Sequence, residues 1–380
     1  MKARRGNDID LVTALGQNPG NTTVMARKPM DFNSAVKTRS AFLLETLLAA
    51  TILGSVHASD FHSYPEDVIT LLEEFQQESD SQGSTIPSVL ALQSDANTET
   101  IVDFDNGIIV VTSTSTRALE KSIIEVLLTQ IDPSVIDAST AIDFGLVNEK
   151  TRKPFFYKQI LDHTGEPIEF EWRAQRFAQH LVNQSQRINS QYRATIRMNS
   201  DHKTTASDKY QRYVQASSFI NDLSPALVMA IIETESAFNP LARSRSNALG
   251  LMQIKPDTAG RDYFTIVKGY QHTPTSSYLY NPKNNIEVGT AYLRILAERY
   301  LTGINHPQKM EYAIISSYNG GSGNLWLSLN SKGSKSKAIA RINKMSVSEF
   351  YWFLTNRHRR HETRNYLKKV NGKIEKYRHL

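Results

Sequence analysis

The sequence predicts an α+β protein: a small α+β amino-terminal domain followed by a mostly α-helical domain. Three observations predict it. Short extended runs split by turn residues lie between Ile101 and Gly165. A polar, aperiodic stretch, residues 198–209, then interrupts the chain. From Tyr210 onward apolar residues recur at helical spacing almost throughout. The 380 residues allow about two to three domains at roughly 150 residues each.

Residues 1–58 read as a leader holding a secretory signal. Lys37 and Arg39 precede an apolar run from Ala41 to Gly54, and Val56-His57-Ala58 offers a cleavage site. The mature chain then starts near Ser59 and works outside the cytoplasm. Glu45 inside the run keeps an uncleaved anchor helix as the alternative, and Met25 and Met30 are alternative starts.

Residues 59–197 form the α+β domain. Val68, Leu71, Leu72 and Phe75 predict a helix over 61–78, and the polar stretch from Glu78 to Ser84 a loop. Ile101–Phe104 and Ile108–Thr112 flank Asp105-Asn106-Gly107 and predict a hairpin, because Asn-Gly supplies the positive φ angles of a tight turn. Leu119, Ile123, Val126 and Leu127 predict a helix over 118–131. Asp162–Gly165 predicts a turn, and a helix from Trp172 is expected to run to about residue 195. The linker is 198–209 and the helical domain 210–380. In that domain Ser224-Pro225 and Asn281-Pro282 are capping residues followed by proline at the first helical position. The second of these helices runs to Tyr300. Gly320-Gly321 ends a helix beginning near Met310, and Ser346 with Glu349 forms a capping box before Phe350.

Composition excludes several classes. An apolar fraction of 40% and a charged fraction of 22% rule out wholesale disorder and collagen-like repeats. No run of about twenty clean apolar residues exists, which excludes a polytopic membrane protein. With no cysteine there is no disulfide, thiolate metal site, cysteine nucleophile or cysteine-linked lipid. The net charge of +6 is uneven: residues 1–58 carry +3, 59–331 carry −8 and 332–380 carry +11. A basic end on an acidic body implies an anionic partner, whether wall polymer, membrane surface or nucleic acid, unless it is merely a solvated face.

The helix from Pro225 ends in Glu233-Thr234-Glu235-Ser236. Glu235 shares a helix face with Ile231, Ile232 and Phe238. A carboxyl on an apolar surface resists ionisation, and a neutral acid can donate a proton to a leaving oxygen. Glu233 lies about 200° round the helix and does not face the same site. On the helix alone, an ordinary helix-end glutamate is the commoner reading. His358-Arg-Arg-His361-Glu362 pairs histidines with a carboxylate, but lacks the His-Glu-x-x-His order, and its arginines repel a cation. No metal and no cofactor is expected.

The surroundings of Glu235 decide the reading. Glu235-Ser236-Ala-Phe-Asn-Pro240 is followed by Ser244, Gly250-Leu-Met-Gln253, Pro256-Asp-Thr258, Tyr318-Asn-Gly-Gly321 and Glu362-Thr-Arg-Asn-Tyr366. In this order the motifs resemble the lysozyme-like catalytic domain of the family 1 lytic transglycosylases, over roughly residues 210–380. Val102–Gly107, Gln159–His163 and Glu171–Ala178 resemble the amino-terminal domain of a membrane-bound member of that family.

The resemblance implies a peptidoglycan-cleaving enzyme of the periplasm, associated with the cell wall and with the outer membrane as a further expected location. Glu235 matches the single catalytic acid. It implies protonation of the glycosidic oxygen between MurNAc and GlcNAc, then attack by the C6 hydroxyl of the same MurNAc to leave a 1,6-anhydro end. Ordinary glycosidases use a carboxyl pair instead, and the sequence offers no well-motivated second carboxylate. Tyr318 matches a tyrosine that positions the acid, and Asn319 one that polarises the sugar. Ser236, Ser244 and Gln253 match substrate-binding positions, and Glu362 and Tyr366 a late motif closing the cleft. The implied partner is the peptidoglycan glycan strand, with cell-wall or membrane association and no nucleic acid.

Three positions depart from the pattern. Ser317 stands where alanine is usual, Lys255 follows Gln253 where a neutral residue is commoner, and the lipid-bearing cysteine of the membrane-bound relatives is missing. The alternatives are a muramidase that uses water and a non-catalytic wall-binding protein.

Overall fold

The structure, a computed structural model, describes residues 87–95, 97–129, 153–188 and 190–380. The leader, the 61–78 helix and the 78–84 loop lie outside the described residues.

Strands β1 (Val89–Asp95), β2 (Thr98–Asp103), β3 (Ile108–Ser113), β4 (Gln186–Ile188) and β5 (Gln191–Arg197) form one antiparallel sheet, ordered β1-β2-β3-β5-β4. The expected hairpin is β2–β3, with Asp103 opposite Ile108. Its connection has four residues and is not a two-residue Asn-Gly turn. Asp103 builds it, its carboxylate accepting from the backbone N–H groups of Asp105 and Asn106 and from the Asn106 amide. Within this loop only Gly107 takes a positive φ, +68°. A Cβ there would sit 2.8 Å from the His202 ring.

Helices α1 (Thr116–Leu127) and α2 (Glu171–Asn183) cover the sheet. Val102, Ile109, Val111, Leu119, Ile123 and Phe177 belong to their shared core. The helix expected to reach residue 195 stops at Asn183, and the next residues form β4 and β5. Ala194 and Ile196 alternate with less buried neighbours and enter the core, a period of two that fits a strand and not a helix. β5 pairs along the whole of β3, from Ile108↔Arg197 to Ser113↔Tyr192.

Residues 198–209 are a fastened connector rather than a bare linker, and contain α3 (His202–Asp208). Asn199 donates to the carbonyls of Gln159 and Lys158, at 2.8 and 2.7 Å. Lys203 pairs with Asp105, and Lys209 donates to the Phe155 carbonyl. The polar side chains that break the periodicity are those that tie this segment to the sheet lobe.

The helical lobe comprises α4 (Gln211–Asn221), α5 (Pro225–Ser236), α6 (Ser276–Tyr280), α7 (Pro282–Ile295), α8 (Pro307–Gly320), α9 (Ser322–Leu329), α10 (Lys335–Lys344), α11 (Val347–Arg357) and α12 (His361–Ile374). Every residue from Ala226 to Ile232 of α5 is buried. This helix is therefore the axis of the lobe, apolar all round, and not an amphipathic surface helix. Ser224 sits at its N-cap but makes no side-chain capping bond. Asn281 does cap α7, accepting from Asn284 N–H at 3.2 Å. α7 continues through a wider helical turn to Tyr300, as expected. α8 begins at Pro307, three residues before Met310, and Gly321 closes it with φ +80°. The capping box on α11 is complete, with both bonds between Ser346 and Glu349 present.

Candidate active site

Glu235 occupies the last turn of α5. Its environment comes from standing at the end of the buried axis, where the helix dipole also disfavours negative charge. The chain leaves α5 through Ala237 and Phe238, with φ +48° and +67°. A bulky residue in the left-handed region costs about 1–3 kcal/mol and persists only where its surroundings hold it. Phe238 is fully buried, stacked on Tyr210 and meeting Tyr377 edge-on. Asn239, also fully buried, donates to the Pro87 carbonyl at 2.8 Å and accepts from Leu241 N–H at 3.0 Å. Ala237 packs into the core of the sheet lobe. The sheet lobe thus grips the loop that immediately follows Glu235.

The half-buried Glu235 accepts a hydrogen bond from the Tyr366 hydroxyl, 2.7 Å from Oε1. Burial pushes its carboxyl up to about 8, opposed by that bond and reinforced by the charge of Glu362. Glu233, two residues earlier, is held the other way. Its burial is outweighed by the Tyr377 hydroxyl and by Lys373 and Lys376, which keep it below the usual carboxylate range. Two carboxyls on one helical turn are therefore driven apart, one towards the neutral acid and one towards the fixed anion. The Glu233 cluster also joins α5 to α12, the helix that carries Tyr366.

Tyr318, expected to position the acid, donates instead to the Met252 carbonyl at 2.7 Å. Its own hydroxyl is pushed well up by burial and then by the nearby Glu235 charge. It stands beside the acid but steadies the neighbouring loop, and Tyr366 makes the direct contact. Asn319 donates to Glu362 at 3.0 Å and accepts from Thr363 at 2.7 Å. Glu362 is exposed and is also bound by Arg360 at 3.1 Å. A second carboxylate, Glu362, therefore lies within electrostatic reach of Glu235, whereas the sequence assigned it to the late motif and offered no second carboxylate beside the acid.

The loop from Gly250 to Gln253 is shaped by Asn285 of α7, a fully buried amide. Asn285 accepts from Met252 N–H at 2.8 Å and donates to the Leu249 and Leu279 carbonyls. Gly250 takes φ +71°, and a Cβ there would lie 2.3 Å from the Asn285 amide. Gln253, at φ +49°, turns its amide back onto the carbonyls of Ala242 and Gly250. Ser244 is half-buried and accepts from Ala248 N–H at 3.0 Å, closing its own turn.

Ser236 requires correction. It is 1% exposed, with its hydroxyl spent on the carbonyls of Ile232 and Leu251 at 3.1 and 2.9 Å. It ties α5 to the Gly250 loop and presents nothing to a substrate. Glu235, Tyr318, Asn319, Glu362 and Tyr366 belong to one connected neighbourhood. Ser244 and Gln253 belong to the adjoining loops. Sequence reasoning missed Asn239, Asn285, Arg360 and Thr363. The one signal for Asn285 is an amide pair, Asn284-Asn285, in the first turn after a capped proline.

Comparison with known proteins gives the same picture. Residues 212–340 match the transglycosylase SLT domain. Residues 88–209 match the amino-terminal domain of membrane-bound lytic murein transglycosylase C. Fold and site thus define a peptidoglycan lytic transglycosylase, a lyase. Membrane-bound lytic murein transglycosylase C of Yersinia pestis strain Pestoides F is 40% identical over 290 residues, covering 74% of this chain and 79% of that one. The Yersinia pseudotuberculosis serotype O:1b protein of that name matches to the same extent. The chain belongs to the family of membrane-bound lytic murein transglycosylase C. Among solved structures, the soluble lytic transglycosylase of Escherichia coli matches with 26% identity and TM-score 0.33, over 46% of this chain and 24% of that one. An inactive variant of Slt from Pseudomonas aeruginosa matches with 24% identity and TM-score 0.31, over 44% and 23%. No helix among the described residues is long and apolar enough to cross a membrane.

Proposed function

We propose that the chain cleaves the β-1,4 bond between MurNAc and GlcNAc without water, leaving 1,6-anhydroMurNAc ends. The observation that carries this reading is the Glu235 carboxyl, pushed up to about 8 and oriented by Tyr366. Near neutral pH it holds a proton. It gives that proton to the glycosidic oxygen as the C1–O bond breaks. The resulting carboxylate takes the proton from the C6 hydroxyl of the same MurNAc, whose oxygen bonds to C1. The acid is thereby restored, and the substrate has supplied its own nucleophile. Asn319, Glu362 and Thr363 offer an amide, a carboxylate and a hydroxyl beside the acid for sugar hydroxyl and N-acetyl groups. Gln253 and Ser244 flank this region on the preceding loops. The leader and the relatives' membrane-bound name support action in the periplasm on the wall, with membrane association.

One observation favours a second reading, a muramidase that uses water. Glu362 raises the Glu235 carboxyl by its charge. Asn319 and Arg360 already engage both its oxygens, which argues against its serving as a free base. Mass spectrometry of digested peptidoglycan separates the two. MurNAc ends one water lighter than hydrolysis products, absent with Glu235→Gln, support the transglycosylase. Reducing ends would replace it with the muramidase.

A further inference from the structure

Outside this site, α10 and α11 frame an open groove of about 720 Å³. Arg341, Lys344, Ser348, Glu349 and Trp352 are among its lining residues. Trp352 is 54% exposed, while Phe353 beside it is buried. An indole left in water keeps a large apolar face available for contact, and here that face is framed by the groove.

The groove is preformed. The buried Lys309 ammonium donates to the carbonyls of Ile342, Asn343 and Met345, pinning the end of α10. Arg341 donates to the Leu329 carbonyl at 2.8 Å and lies over the Phe353 ring. The Ser346–Glu349 capping box fixes the start of α11. Arg357 lies 5.8 Å from the centre of the Trp352 ring. An occupant therefore meets an aromatic platform beside two cations, Arg341 and Arg357, that are already held, with little ordering cost for these.

The chemistry selects the occupant. A pyranose ring offers an apolar C–H face to an indole, and its hydroxyls suit a rim holding Ser348, Glu349 and Arg341 together. Arg341, Lys344 and Arg357 complement the carboxylates that stem peptides hang from a wall glycan, and residues 332–380 carry a net +11. An anionic membrane surface fits less well, because Trp352 lines a recess and Glu349 sits among the cations. Further cations follow towards the end of α11 and just beyond it. Arg357 lies about 7.5 Å further along the helix axis than Trp352, at 1.5 Å per residue. Arg359 and Arg360 follow, and Arg360 bonds Glu362.

We propose that this groove is a second glycan-binding surface, holding a stretch of anionic peptidoglycan strand away from the bond being cut. The proposal rests on the wall polymer being the substrate, as argued above, and is read by binding so that it does not depend on the chemistry at Glu235.

The test is a sedimentation assay with the full chain carrying Glu235→Gln and purified peptidoglycan sacculi. Trp352→Ala and Lys344→Glu are each expected to weaken sacculus binding about tenfold, as loss of an interface anchor does. Trp352→Phe keeps a stacking face and is expected to retain most of it. Lys344→Glu is expected to flatten the salt dependence of binding. Melting curves in parallel exclude unfolding as the cause. Sacculus binding unchanged in both variants would overturn the proposal. So would Trp352-dependent binding to phosphatidylglycerol vesicles without binding to sacculi. If the intact enzyme cuts peptidoglycan to other products while these binding losses appear, only the reaction assignment fails.

Discussion

Tyr366 donates its hydroxyl to Glu235, whereas Tyr318 spends its own on the Met252 carbonyl, each at 2.7 Å. Two tyrosines of one neighbourhood thus hold different parts, one the acid and one the loop beside it. Removing the Tyr366 hydroxyl deletes a bond that favours the charged carboxylate, so the Glu235 carboxyl rises further above about 8. Tyr366→Phe is expected to lower kcat about 10- to 100-fold through loss of orientation, and to move the alkaline limb of the pH profile upward. Tyr318→Phe is expected to raise KM and leave that limb in place. Initial rates across pH 5 to 10 check both.

The Glu235 carboxyl also couples stability to pH. Its folded value, about 8, lies above the ordinary carboxyl value of 4.5. The folded state therefore binds the proton more tightly than the unfolded state. Stability is full below the ordinary value and is lost as pH rises through the folded one. Activity that needs the neutral acid falls on the same alkaline limb. Glu235→Gln cannot ionise, so its Tm is expected to exceed that of the intact chain more at pH 9 than at pH 5. Equal shifts in calorimetry at the two pH values would contradict this.

Ser317, which stands where alanine is usual, is a buried hydroxyl with no hydrogen-bond partner among the described residues. Burying such a group costs about 1 kcal/mol or more, and alanine is the better helix former. Ser317→Ala is expected to stabilise the chain by about 1 kcal/mol, with urea midpoints as the measurement. Activity should not change.

Asn239 carries the contact between the sheet lobe and the loop after Glu235. Asn239→Ala leaves the Pro87 carbonyl and Leu241 N–H without that partner, and is expected to cost about 1–3 kcal/mol. The more telling effect is on kcat, because Ala237 and Phe238 lose part of what holds their left-handed backbone. Measured below the variant's melting range, kcat is expected to fall while KM changes little. An unchanged kcat would mean the loop is held without Asn239.

The reach of the sequence can be followed residue by residue. The hairpin, the capping box on α11 and the helix from Pro225 were legible because capping and periodicity are local. β4 and β5 were not, because β5 takes its strand character from pairing with β3, about eighty residues away, and β4 only from pairing with β5, against a background of polar residues. The shape of the 104–107 loop depends on the Asp103 side chain, a longer-range device than an Asn-Gly pair. At the site, Glu235 and its neighbours were legible through motif order. The division of labour between Tyr318 and Tyr366 was not, since it turns on which carbonyl or carboxylate each hydroxyl meets. Ser236 sits inside a motif, yet its burial between α5 and the Gly250 loop is a property of packing alone.

The bond from Asn239 to Pro87 closes across 152 residues of chain. Contacts of such span form late, because the long loop between them must first be ordered. The helices of the second lobe can therefore gather before the segment behind Glu235 is fastened to the sheet lobe. The bond that fastens the loop behind the candidate acid is thus expected among the later contacts to close. Fastening of the candidate acid is in this way tied to completion of both lobes.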